Sequence, residues 1–154
     1  MEHKQLLTVF NSLPVGIGFF TADGTLVRCN ESFCRIFGAD SQTLLGNKLN
    51  INENSVVPDV VKEAVRRCVP VQMSFLYDFD KQRTDKRFFS TRTRTCYLKC
   101  NGNPLYDNDG KFVNYIFIFE DITETVKSEE VLRQSRRKTE LAMKAANIMW
   151  IRSV

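Results

Sequence analysis

The chain has 154 residues, 43% of them hydrophobic and 26% charged, enough apolar material for one core and too much for a disordered segment. No apolar run approaches the about 20 residues that cross a bilayer, and the polar start Met1-Glu2-His3-Lys4-Gln5 leads into no signal-peptide core. A net charge of +4, with no nucleic-acid-binding motif beside the basic residues, argues against a nucleic-acid partner. One domain plus a tail is expected, with no direct membrane insertion and a cytoplasmic location that leaves open a membrane-anchored parent.

In chain order, Leu6, Leu7, Phe10 and Leu13 make a short helical stripe that ends at Pro14. Residues 15–20 predict a strand, Ala22-Asp23-Gly24 a turn, and residues 25–29 the returning strand. Asn30 is placed to cap a short helix with Phe33, Ile36 and Phe37 on one face and Gly38 at its end. A second small helix is predicted over residues 41–45, stopped by Gly46. The strongest helical stripe runs over residues 56–68, with Pro58 in the first turn and Pro70 forbidding continuation. Three strands follow, over residues 71–79, roughly 88–106 and 111–119. The order β-β-α-α-α-β-β-β predicts an α+β domain, an antiparallel sheet with helices on one face.

Asp107-Asn108-Asp109-Gly110 has turn chemistry, and the β-branched and aromatic run after it suits a strand. Asp121 then stands three residues before Glu124, a carboxylate capping pattern that opens a helix without a linker. The Asp121 carboxylate is expected to accept from the amides near Thr123 and Glu124, with Arg92 or Arg94 as a basic partner.

Asp121-Ile122-Thr123, behind a final strand and an Asp-x-x-Gly turn, resembles the closing signature of PAS sensory domains. Gly24, Asn30 and Phe33 stand where PAS domains carry similar residues, and the resemblance covers residues 6–123. It implies a five-stranded antiparallel sheet with short helices on one face and a C-terminal signalling helix. The function implied is a non-enzymatic sensory and dimerisation module of a signal-transduction protein, most often a tandem-PAS bacterial sensor histidine kinase in a two-component phosphorelay. Its relay residues would be Asp121, Thr123 and Glu124, its partners a second copy and the adjacent domains of the parent.

The tail divides on the same reading into a coiled-coil-like helical linker, residues 124–140, and the start of a second PAS domain, residues 141–154. In the latter a helix with Ala145-Ala146-Asn147 would lead into a first strand, as in an excised fragment; a C-terminal helix that folds back is the alternative. The linker is highly charged, with only a loose heptad, and alone would be marginal in water, so a homodimer through the terminal helices or the outer sheet face is expected.

Catalysis is not supported. The only histidine is His3, and no Gly-rich phosphate loop or nucleophile–base pair can be assembled. Any kinase chemistry of a parent would lie outside this sequence. Haem-binding PAS domains commonly carry a His on the long helix, and residues 56–68 hold none; axial Cys or Met stays chemically open. Photoactive flavin-binding relatives carry an Asn-Cys-Arg-Phe-like run, and Cys34-Arg35-Ile36-Phe37 echoes it on the wrong element, without the following glutamine. No cofactor and no metal are therefore expected. The five cysteines, odd in number and without a Cys-x-x-Cys pair, are expected as free thiols, with Cys96 and Cys100 on one strand face.

A small-molecule cavity between helices and sheet is the competing receptor reading. Its expected walls are Phe19, Phe33, Ile36, Phe37, Leu49, Val61, Val65, Met73, Phe75, Leu98, Ile116 and Ile118. Twelve phenylalanines make a packed interior the favoured outcome. Finally, Lys81, Arg83, Lys86, Arg87, Arg92 and Arg94 face only Asp85, and the alternation Thr91-Arg92-Thr93-Arg94-Thr95 predicts both arginines on one strand face. Such a stripe either binds phosphate or keeps an edge strand soluble.

Overall fold

Turn chemistry sets the hairpins. In the computed structural model, which describes residues 2–83 and 90–153, the Asp107 carbonyl accepts from the Gly110 amide at 3.0 Å. Asp107 Oδ1 takes the amides of Asp109 and Lys111 at 2.9 Å each, and Gly110 sits at φ 79°, a conformation glycine adopts without a Cβ clash. This reversal joins β4 (Thr95–Tyr106) to β5 (Phe112–Asp121). The other strands are β1 (Gly16–Phe20), β2 (Leu26–Cys29) and β3 (Val71–Asp78). They form one antiparallel sheet in the order β2-β1-β5-β4-β3, so the first and last strands lie side by side at its centre.

The helices are α1 (Glu2–Ser12), α2 (Glu31–Phe37), α3 (Ser41–Gly46), α4 (Asp59–Arg67), α5 (Phe79–Gln82) and α6 (Thr123–Ser153), with a 3-10 turn at Ile51–Glu53. Side chains of α2, α3 and α4 share one core with the inner sheet face, whereas Phe10 of α1 meets Phe19 of the outer face. The chain divides into two units at Asp121 and Ile122, the second being the α6 segment.

Several elements differ from the sequence reading by more than a residue or two or in kind. α4 begins at Asp59, with Pro58 in the N-cap position, because proline disfavours helical backbone at the preceding Val57. α5 was not anticipated; Asp78 caps it by accepting the amides of Asp80 and Lys81 at 3.0 and 3.1 Å. β4 starts at Thr95, so Thr91 to Arg94 are no strand, and Arg94 turns the chain at φ 65°. The start expected near residue 88 lies outside the described residues. The strand expected after Asn147 is helix, since α6 continues to Ser153.

α2 packs unusually close to β1. A Cβ on Gly16 would lie 2.9 Å from the Phe33 Cα, so only glycine lets the helix backbone approach. The space above the sheet is filled by rings: Phe33 lies 4.6 Å from Phe37, Phe37 5.2 Å from Phe119, and Phe20 5.4 Å from Phe117. Each such pair adds about 0.5–1.5 kcal/mol beyond burial.

Asn30 holds the start of this arrangement together. It is buried, and its Oδ1 accepts the amides of Ile17 at 2.8 Å and Phe33 at 3.0 Å. Its Nδ2 donates to the carbonyls of Phe10 and Val15, both at 3.0 Å. One side chain thereby closes the end of α1, the start of β1 and the first turn of α2. Asn30→Ala is expected to destabilise by about 2–4 kcal/mol, because two backbone amides and two carbonyls, buried or partly buried, lose a side-chain partner. Asp40→Ala, which removes an exposed cap on Thr43 at the start of α3, should move the urea midpoint far less. Equal shifts in the two unfolding curves would overturn this ranking.

Candidate functional site

A receptor cavity would lie between the helices and the inner sheet face. The free space between α2, the 3-10 turn and the sheet amounts to about 20 Å³, beside Asn54 and Tyr77. That is the scale of one water, against the ~300 Å³ or more of an ordinary ligand pocket. Its polar contents are already paired: Asn54 Nδ2 donates to the Tyr77 hydroxyl at 2.8 Å, and Asn54 Oδ1 accepts the Val56 amide at 3.0 Å. Tyr115, also buried, donates its hydroxyl to the Val69 carbonyl at 2.6 Å, and burial raises that phenol to about 12.

A second constellation lies where the sheet ends. Arg92, in the segment before β4, sends Nη1 to the Ile36 carbonyl of α2 at 2.9 Å and to Asp121 Oδ2 at 3.1 Å. Its guanidinium also lies 4.8 Å from the centre of the Phe79 ring, a cation–π contact. The backbone around it is fastened as well. Thr91 gives its amide to the Gly38 carbonyl at 2.7 Å, Ser90 Oγ accepts the Arg92 amide at 3.0 Å, and Arg83 donates to the Arg92 carbonyl at 3.1 Å. Cys96 lies beneath; burial pushes its thiol up to about 11, with Arg92 opposing and Asp121 reinforcing the shift. Asp121 is the last residue of β5, and α6 starts after Ile122, whose carbonyl accepts the Val126 amide at 2.9 Å.

A central pair of first and last strands, an Asn-capped helix laid on it and an acidic strand end before a long helix are the marks of one family. The family described as PAS fold matches residues 10–127. This chain belongs to the PAS fold family. Among solved structures, an RNA-binding light-oxygen-voltage receptor is similar at TM-score 0.65 and 18% identity, over 88% of this chain and 37% of that one. A PAS domain from Colwellia psychrerythraea is similar at TM-score 0.60 and 15% identity, over 80% of this chain and 99% of that one. A PAS domain from a two-component sensor histidine kinase is similar at TM-score 0.56 and 15% identity, over 78% of this chain and 96% of that one. The chain thus spans little more than a third of the first receptor, and identities this low speak for the fold alone. A comparison with curated proteins gives no match.

Within this PAS domain the expected cavity walls separate into two groups. Phe33, Ile36, Phe37, Val61, Val65 and Leu98 are buried in the core, and Leu49, Met73 and Phe75 pack against it. Phe19, Ile116 and Ile118 lie on the opposite, outer face, since β1 and β5 bury Gly16, Gly18, Phe20, Tyr115, Phe117 and Phe119 instead. The sequence reading missed those inner aromatics and Tyr77; the signal available was the Gly16-x-Gly18 spacing, which marks the face a helix approaches. The basic stripe is also revised. Arg92 is turned into the ion pair with Asp121, Arg83 pairs with Asp80 at 4.0 Å, and Lys86 and Arg87 lie outside the described residues.

Asp121 thus has Arg92, one of the two basic residues anticipated, as a partner, and Ile122 occupies the position directly before the helix. His3 is exposed on α1. Among the described residues no group of three His, Cys, Asp or Glu could hold a metal, and no helix is long and apolar enough to cross a membrane.

The Arg92 and Asp121 side chains are 32% and 29% exposed, so their pairing alone contributes at most about 1 kcal/mol. Arg92→Ala should nevertheless cost more than Asp121→Ala, because it also uncovers Phe79 and releases the Ile36 carbonyl. A double-mutant cycle read by urea unfolding is expected to give a coupling of about 0.5–1 kcal/mol; strict additivity would show that the pair is not formed in solution.

Proposed function

We propose that this PAS domain is a non-enzymatic sensory and dimerisation module of a multi-domain signalling protein, of the two-component sensor histidine kinase type, that passes a change in the sheet to α6. The observation that carries this reading is the Arg92 junction. One side chain touches α2, Phe79 and the terminal carboxylate of β5, and only Ile122 separates that carboxylate from α6. A shift of α2 or of residues 90–94 alters the pull on Asp121, and Asp121 shares its short backbone with the first turn of the helix. Carboxylate charge near that turn also favours the positive end of the helix dipole, which gives Asp121, Thr123 and Glu124 their relay roles. A PAS domain of a two-component sensor histidine kinase shares this fold, which is the ground for choosing that parent class to test. A cytoplasmic location, with neighbouring domains of the parent as partners, belongs to the same reading. In such a parent, Asp121→Ala is expected to change output about fivefold or more while the domain stays folded. Hydrogen exchange provides the structural arm: residues 123–126 should exchange faster in the variant. Unchanged output with unchanged exchange would remove the relay.

Dimerisation rests on α6. Its 31 residues make a rod of about 46 Å, on which Val131, Leu132, Leu141, Met143, Ile148 and Met149 are each more than half exposed. Such a helix gains most from a copy of itself, and the outer sheet face, with Leu76, Tyr97 and Ile118 exposed, is the second surface available. Sedimentation equilibrium is expected to show a monomer–dimer equilibrium that Leu132→Lys or Ile118→Lys weakens, identifying the surface used. A monomer at every concentration would exclude the dimer.

A further inference from the structure

Away from the Arg92 junction, two thiols meet. Cys29 ends β2 and Cys34 lies in α2, and their sulfurs stand 3.8 Å apart in an S–H···S contact. The other cysteines belong to different elements, Cys68 to the end of α4 and Cys96 and Cys100 to the buried face of β4. Both members of the pair are only partly buried. Cys29 also lines a groove of about 500 Å³ beside α1, with Leu6, Phe10 and Phe19, a path wide enough for a small molecule. Between the two cysteines sits Asn30, whose four side-chain hydrogen bonds join α1, β1 and α2.

We propose that Cys29 and Cys34 form a thiol–disulfide modification site that a peroxide oxidises to an intramolecular bond. One sulfur attacks the peroxide O–O bond, takes one oxygen as a sulfenic acid and releases water. The second sulfur then displaces that oxygen, forming the S–S bond and releasing a second water. The two thiols lose two electrons in all, the peroxide is reduced to two waters, and the thiol protons leave in that water. Burial pushes the Cys29 thiol up to about 12 and raises Cys34 too, so the resting pair is protonated, and the attack on the peroxide passes through the small thiolate fraction, which grows with pH. The bond would staple the end of β2 to α2, the helix whose Ile36 carbonyl receives Arg92. The assignment of the site stands independently of the relay.

The sequence provides a direct assay. Trypsin cuts after Arg28 and after Arg35, so both cysteines fall in the single peptide of residues 29–35. The full chain is treated with hydrogen peroxide, alkylated with iodoacetamide, digested and weighed. The peptide is expected unalkylated and two hydrogens lighter than the dithiol form, with the loss reversed by dithiothreitol. Neither Cys29→Ser nor Cys34→Ser should yield it, and α2 amides should exchange more slowly in the oxidised wild type. The proposal is overturned if the wild-type peptide stays fully alkylated while Cys68 oxidises. It is equally overturned if both sulfurs advance to sulfinic acids, or bond to other cysteines, without the two-hydrogen loss.

Discussion

The structure depends on the burial of one amide side chain. Asn30 must satisfy two backbone amides and two carbonyls drawn from three elements, and it does so with every hydrogen-bonding position it has. Water cannot replace it, because the residue is 1% exposed. The consequence is positional. With α2 anchored at its first turn on β1, Phe33, Ile36 and Phe37 can only point onto the inner face of the sheet, and Gly16 is required where the two backbones nearly touch.

From that anchor the aromatic interior follows, and among the described residues the space beside Asn54 and Tyr77 shrinks to about 20 Å³. Phe20, Phe33, Phe37, Tyr77, Phe117 and Phe119 pack ring against ring, edge to face or tilted except for the stacked pair Phe117 and Phe119. At the C-terminal end of the same helix, the carbonyls of Ile36 and the cap Gly38 hold Arg92 and Thr91. A continuous set of contacts thus runs from the Asn30 anchor through α2 to the carboxylate at the end of β5. Energetically this last link is weak, since the ion pair is partly solvated. Weak coupling at a junction is compatible with transmission, because a contact worth far more than thermal energy would hold one state only. The proposed thiol pair joins the end of β2 to the middle of the same helix, so oxidation there would act on the element that Arg92 grips.

What the sequence determined by itself is local. The caps at Asn30 and Gly38, the Asp107–Gly110 reversal, the order of elements and the strand-to-helix junction at Asp121 all arise from short-range backbone chemistry, and each is written within a few residues. Inner and outer sheet faces were not legible in β1 and β5, because both faces carry apolar side chains. In Gly16-Ile17-Gly18-Phe19-Phe20 the buried positions include two glycines, so hydrophobicity favours the wrong parity. Arg92 was legible as a basic residue with Asp121 as a conceivable partner. Its grip on Ile36, 56 positions away, and its place over Phe79 came only from folding. The approach of Cys29 to Cys34 likewise needed the strand end and the helix to be set against each other, which the five-residue spacing does not specify. Contacts within a turn are dictated by dihedral preference; contacts across the fold are decided by which faces bury, and that is a property of the packed whole.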